Sequence, residues 1–199
     1  MEFVGYLGTM NSMKSAMALM KARKYLTDGE SHLAFKPGRD SRDGAFIASR
    51  AIKDKLEANV VEFHERDVMY NMCRFVKPDH VIVDEVQFMP EHQIEELARI
   101  AYELDIKVEC FGLKVDFMTH LFPGSRRLIE LADRIVNVEN DCSVSGCRNP
   151  ATKNIRLEDG KPIFHGQIIQ VGKEETYRSV CLSCYMRMKK EAESNGTEI

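Results

Sequence analysis

The chain has 199 residues, 44% of them hydrophobic, which is enough for one sizeable core and a small appended module. Charged residues make up 30% and the formal net charge is −3, which excludes a general attraction to nucleic acid or anionic membranes but not a local basic site. No apolar run approaches the roughly 20 residues that span a bilayer. The opening MEFVGYLG has no basic start followed by a long apolar stretch, so no signal peptide is expected and a cytoplasmic location is.

Glu2–Leu7 reads as a strand and Lys14–Leu26 as a helix, with Met17 and Met20 on a stripe that fills the core. Leu33–Phe35 is a further apolar run, and residues 38–44, GRDSRDG, are polar and turn-rich. Asn59–Phe63 reads as a strand, Arg66–Val76 as a helix and His80–Val83 as a short buried strand. Glu91–Leu104 is an amphipathic helix with Pro90 near its start. Lys107–Leu113 is a strand, Ser125–Ala132 a helix and Arg134–Val138 a last strand. Strands alternating with helices at this spacing predict βαβ units and a parallel sheet covered on both faces. After about Asn140 the character changes: cysteine pairs bracket the β-like runs NIRL and QIIQV, and the charged stretch beyond Tyr185 reads as helical.

Gly8-Thr-Met-Asn-Ser-Met13-Lys14-Ser15 resembles a phosphate loop, G-x-x-x-x-G-K-[ST], with Met13 in place of the second glycine. Such a loop closes backbone N–H groups around phosphate oxygens, its lysine supplies a charge and its hydroxyl binds Mg²⁺. Here it follows a predicted strand and opens a predicted helix, so the helix N-terminus faces the anion. The Met13 side chain is expected to turn away from the phosphates, toward the apolar face it shares with Met17.

His80-Val-Ile-Val-Asp84-Glu85 is an apolar strand ending in two acids. Beside a phosphate loop, Asp84 is placed to support Mg²⁺, and Glu85 to deprotonate a hydroxyl or orient a water. Two classes stay open at this point: phosphoryl transfer to a small hydroxyl compound, and nucleotide hydrolysis coupled to work on nucleic acid.

Cys142-x₄-Cys147 and Cys181-x₂-Cys184 form two close pairs separated by 33 residues. Four thiolates in two pairs suit a closed, structural tetrahedral Zn²⁺ site. Cys73 and Cys110 sit in apolar patterns and read as inert buried thiols.

Taken together, these parts resemble the cytosolic, zinc-containing (type II) thymidine kinases, from about Phe3 to Tyr185. The resemblance rests on the phosphate loop, Lys36-Pro…Asp40-Ser-Arg42, Asp84-Glu85-Val-Gln87-Phe88, Phe111-Gly-Leu-Lys-Val-Asp116-Phe117…Phe122-Pro-Gly-Ser and Val171-Gly…Tyr177-Arg-Ser-Val-Cys181. It implies an α/β, P-loop NTPase-like (RecA-like) parallel sheet with helices on both faces, plus a small zinc domain whose lasso loop closes over the nucleoside. The corresponding boundaries are 1–140 for the nucleotide-binding domain, 141–192 for the zinc and lasso domain and 193–199 for a flexible tail. The implied activity is ATP-dependent phosphorylation of the 5′-hydroxyl of thymidine, and of deoxyuridine, for nucleoside salvage and DNA synthesis. By resemblance, Glu85 is the base. Gly8, Thr9, Met10, Asn11, Ser12, Met13, Lys14, Ser15, Asp40, Arg42, Asp84 and Gln87 serve ATP and its Mg²⁺. Met10, Phe88, Leu113, Phe117, Thr152, Ile168 and Tyr177 line the thymine pocket, and the four paired cysteines hold Zn²⁺. A homotetramer and feedback inhibition by dTTP are also implied, with no nucleic acid or membrane partner. The alternatives are a P-loop ATPase acting on nucleic acid and, because of Met13, a nucleoside-binding homologue impaired in catalysis.

Overall fold

The computed structural model describes residues 2–39, 44–168 and 176–194. In chain order its elements are β1 (Phe3–Gly8), α1 (Lys14–Asp28), β2 (His32–Pro37), β3 (Phe46–Ser49), β4 (Ile52–Glu57), β5 (Asn59–Val61), α2 (Val68–Val76), β6 (His80–Val83), a 3₁₀ turn (Val86–Phe88), α3 (Glu91–Leu104), β7 (Lys107–Leu113), α4 (Pro123–Leu131), β8 (Arg134–Val138), β9 (Lys153–Glu158), β10 (Lys161–Ile163), β11 (Tyr177–Val180) and α5 (Leu182–Ser194).

Six strands form one sheet in the order β5-β2-β6-β7-β1-β8. Every pairing in it is parallel. Alternation along the strands sorts the core. Val4, Tyr6, Ala34, Ile82 and Phe111 pack beneath Ala18, Leu19, Ala22 and Tyr25 of α1 and Ile47 of β3. Phe3, Leu7, Phe35, Val81, Val83, Val108 and Cys110 face the other way, against Met69 and Cys73 of α2, Ile94, Leu97 and Ile100 of α3, and Leu128 of α4. This is the expected α/β, RecA-like arrangement. β7 lies between the strand that feeds the phosphate loop and the strand that ends in the acids. Cys73 and Cys110 are fully buried, and burial pushes both thiols up, Cys73 to about 12.

Three local expectations are corrected. α2 begins at Val68 rather than Arg66, because Asp67 takes a left-handed φ of 56° and stops the helix there. α4 begins at Pro123, whose fixed φ and missing N–H suit a first turn. Met20 is 55% exposed and does not fill the core, whereas Met17 packs at the edge of the α1 cluster.

β9 pairs with β10 and β11 in a separate antiparallel sheet, order β10-β9-β11. The β9–β10 turn uses Asp159 (φ 49°) and Gly160 (φ 76°), the two positive-φ positions of a tight hairpin. Ile155, Phe164, Val180, Tyr185 and Ala192 form its small apolar cluster together with Cys142, Cys181 and Cys184. Of the QIIQV run, Gln167 and Ile168 lie in no strand, and its remaining residues fall outside the described ones.

Candidate active site

β1, β6 and β7 end on one rim of the parallel sheet, with Gly8 opposite Leu113 and Val83 opposite Cys110. Ligand sites of open α/β sheets lie at this end. The loop from Gly8 to Lys14 turns there into the N-terminus of α1. Gly8 is required by packing: a Cβ on it would lie 2.5 Å from Ser12 Oγ and 2.8 Å from the Val138 carbonyl oxygen. Ser12 Oγ donates to the Thr9 carbonyl at 2.8 Å, and Lys14 Nζ donates to the same carbonyl at 2.6 Å and to Ser12 Oγ at 3.2 Å. The ammonium therefore sits over the mouth of the loop.

Met13 departs from expectation. It is 58% exposed, so it does not share the buried face of Met17. It precedes α1 with φ 62° and ψ 21°, a left-handed residue with no side-chain cap. The missing glycine is met by backbone conformation, with Asn11 also left-handed at φ 58°.

Asp84 follows β6 and is buried. Burial first, then the neighbouring Glu85 charge, push its carboxyl up to about 7, while a hydrogen bond from the Ser15 hydroxyl and the Lys14 charge pull it down. A buried carboxyl in contact with a serine hydroxyl is an oxygen donor set that suits a hard divalent cation. Glu85 turns the chain with a left-handed φ of 53° into the 3₁₀ turn at Val86–Phe88. Gln87 Nε2 donates to Glu85 Oε2, and Gln87 Oε1 accepts from the Leu113 N–H at 2.9 Å. The Gln87 amide is thus engaged at both ends, on Glu85 and on β7. Gly112 allows this approach, since a Cβ there would lie 2.4 Å from Gln87 Oε1.

Phe117 is buried, and its ring meets that of Tyr177 edge-on at 6.4 Å. Phe88 meets Phe122 edge-on at 6.0 Å, and Leu113 lies beside Gln87 at the end of β7. Thr152 and Ile168 are exposed, and the Thr152 N–H serves the small sheet by bonding the Val180 carbonyl at 3.0 Å. Asp40 and Arg42 lie outside the described residues. Arg156 escaped the sequence reading. It is buried, its guanidinium lies 5.2 Å from the Phe117 ring centre, Nη1 donates to the Gln167 carbonyl at 2.8 Å, and it hydrogen-bonds Tyr177. Asp116 is also buried, and one of its carboxylate oxygens accepts from the Met118 and His120 N–H groups at 2.9 Å each. No sequence signal marked Arg156, because an arginine in a strand is ordinarily exposed.

The four paired cysteines converge, with all four sulfurs within 4.8 Å of one another. Cys147 Sγ and Cys181 Sγ are 3.8 Å apart. The Cys181 N–H donates to Cys142 Sγ at 3.3 Å and the Cys184 N–H to Cys181 Sγ at 3.4 Å. The cluster can hold a metal ion.

The thymidine kinase family model matches residues 1–185. The chain belongs to the thymidine kinase family. It is 37% identical over 180 residues to the thymidine kinase of Streptococcus gordonii, covering 90% of this chain and 93% of that protein. It is likewise 37% identical over 179 residues to the thymidine kinase of Streptococcus pyogenes serotype M3, covering 89% and 93%. Among solved structures, the Pif1 helicase of Candida albicans is 17% identical with a TM-score of 0.41, covering 69% of this chain and 36% of that one, a likeness too low to carry an argument.

Proposed function

We propose that this protein is a thymidine kinase that transfers the γ-phosphoryl group of ATP to the 5′-hydroxyl of thymidine, and of deoxyuridine, in nucleoside salvage. The reading is carried by family membership over residues 1–185, and it is supported by the rim where Ser15 of the loop bonds Asp84 and Gln87 bonds the adjoining Glu85.

In this reading the N–H groups of residues 9–15 and the α1 N-terminus receive the ATP phosphates. Lys14 leaves the Thr9 carbonyl to neutralise the charge that spreads over the transferring group. Asp84 and Ser15 would hold a Mg²⁺ ion, which would supply neutralising charge to the phosphates. Glu85 accepts the proton of the 5′-hydroxyl, and Gln87 keeps its carboxylate aimed. Phe88, Leu113, Phe117 and Tyr177 would sandwich the thymine, and Arg156 ties that wall to the segment at Gln167. Thr152 and Ile168 would meet substrate only on closure of the lasso. Closure would also keep water from the transferring phosphoryl group.

The cysteine cluster would hold Zn²⁺. A tetrahedral site with bonds of about 2.3 Å places its sulfurs roughly 3.8 Å apart, as the Cys147–Cys181 pair already is. With four protein ligands the metal would brace structure rather than activate water. The boundaries 1–140, 141–192 and 193–199, a cytoplasmic location, a homotetramer and dTTP inhibition complete the reading. Among the described residues no helix is long and apolar enough to cross a membrane. Thymidine-dependent release of ADP is the deciding experiment. Turnover without thymidine would instead indicate an ATPase, and binding without turnover an impaired homologue.

A further inference from the structure

Both backbone groups of Met10, inside the phosphate loop, are held by side chains from far along the chain. Its N–H donates to Asn154 Oδ1 at 2.8 Å. Its carbonyl accepts from Ser179 Oγ at 2.5 Å and from Asn140 Nδ2 at 3.2 Å. Asn154 and Ser179 are directly opposed in the β9–β11 ladder, so they project from one face of the small sheet. The amide nitrogen of Asn154 donates to the Val115 carbonyl at 3.0 Å, which ties the same residue to the segment after β7. Asn154 and Ser179 are 3% and 4% exposed. Neither has a part in the chemistry described above.

The gripped loop carries two left-handed residues, Asn11 at φ 58° and Met13 at φ 62°. Asparagine tolerates that region, but methionine does so only at a cost. Such residues persist where the surrounding structure over-determines them. The bond inside the loop from Lys14 to Thr9 cannot supply this once phosphate draws the ammonium away. The Met10 grip is independent of the lysine.

We propose that Asn154 and Ser179 are positioning residues for phosphoryl transfer: they hold the Met10 peptide and so keep the phosphate loop in the shape that Met13, lacking a glycine's freedom, does not adopt unaided. The small sheet would thus serve the ATP side of the reaction as well as the nucleoside side. The inference rests on the phosphate-loop reading given above.

The test is a double-mutant cycle on the full-length, metal-loaded chain, read by calorimetric binding of a non-hydrolysable ATP analogue with Mg²⁺. Asn154→Ala is expected to weaken binding about tenfold when Met13 is present. In a Met13→Gly background the same change should cost about threefold or less, because glycine holds a left-handed turn without help. Ser179→Ala should lose about threefold, since Asn140 still reaches the Met10 carbonyl. Ser179→Thr, which keeps the hydroxyl, should restore binding. Should Asn154→Ala fail to fold, the Ser179 pair decides alone. An equal penalty for Asn154→Ala in both backgrounds, or a Ser179→Thr loss as large as that of Ser179→Ala, overturns the proposal while leaving the kinase reading intact. Failure of the unaltered protein to bind the analogue removes the nucleotide-site reading, and the proposal with it.

Discussion

The six-stranded sheet buries apolar side chains on both faces, from Val4 and Tyr6 under α1 to Leu7 and Val108 under α2, α3 and α4. The three-stranded sheet covers only a small cluster around Ile155, Phe164, Val180 and Tyr185, and three of that cluster's buried members are cysteines of the metal group. A core of the first kind stands by itself, while a module of the second kind falls below the size at which apolar burial outweighs chain entropy and needs a cross-link or a metal. The division of labour follows the same line. Lys14, Ser15, Asp84 and Glu85 stand on the rim of the large sheet, and Arg156 and Tyr177 come from the small one. In the proposed mechanism the phosphoryl-transfer groups belong to the large sheet, while the thymine wall joins Phe88, Leu113 and Phe117 of that part to Tyr177 of the small one.

The sharpest way to break that division is Glu85→Gln. The glutamine keeps the size and the approach of Gln87 but cannot take a proton. The expected result is a fall in kcat of roughly 10²–10⁴-fold with the thymidine KM little changed. Near-normal turnover would place the base elsewhere.

Removing the metal strikes the other side. Cys181→Ser takes away a sulfur that lies 3.8 Å from Cys147 Sγ and accepts the Cys184 N–H. Thymidine affinity should fall by much more than about tenfold, and ATP affinity by no more than the roughly tenfold expected from loosening the grip on Met10, because the α1 N-terminus itself belongs to the large sheet. Hydrogen exchange should show β9 and β11 losing protection while β1, β6 and β7 keep theirs. A uniform loss over both sheets would mean that they fold as one unit. Purified protein without stoichiometric zinc would remove the metal reading itself.

What could be read along the chain follows a similar boundary. Gly8, Lys14 and Ser15, and separately Asp84 and Glu85, were legible because each set is compact within one strand–turn unit, β1–α1 and the end of β6. The paired cysteines were legible from spacing. Asn154, Arg156 and Ser179 were not, because each works by meeting residues that only the fold brings near, Val115 and Met10 for the first and last and Phe117 for Arg156. As strings, N-I-R and R-S-V are ordinary strand residues. The β3–β4 hairpin was missed for a local reason. Its turn, Arg50–Ala51, has neither glycine nor asparagine, and β4 alternates only between half-buried and exposed residues. The Asp159-Gly160 hairpin did carry its signal, overlooked beside the more apolar QIIQV run.

A smaller effect concerns pH and belongs to the large sheet alone. The Asp84 carboxyl is raised from 3.8 to about 7 in the folded chain. The folded state therefore holds a proton that the unfolded state has lost across that interval, and stability must fall as pH rises through it. In buffer without Mg²⁺, the melting temperature should drop between pH 5 and about pH 7 and then level off. Asp84→Asn, neutral throughout, should flatten that slope. Saturating Mg²⁺ should also flatten it by favouring the ionised carboxylate. A wild-type slope that survives in Asp84→Asn would assign the titration to another group.

The smallest effect returns to Met13, at the seam where the small sheet grips the loop of the large one. Were its side chain packed beside Met17, replacement by glycine would lose contacts and stability. It is instead 58% exposed at φ 62°, so there is little packing to lose. Glycine removes a left-handed cost of about 1–2 kcal/mol and adds back roughly 0.5–1 kcal/mol of unfolded-chain entropy. The balance favours Met13→Gly by up to about 1.5 kcal/mol, a rise in melting temperature of about 3–6 °C at most for a chain of this size. The ATP KM should stay equal or fall, since the loop N–H groups reach the same arrangement with less strain. Thermal melts and steady-state kinetics on the two proteins settle the point. A variant that melts several degrees lower would show that Met13 makes contacts its exposure denies. A variant that folds normally but loses ATP would show that the side chain itself is part of an adapted phosphate site.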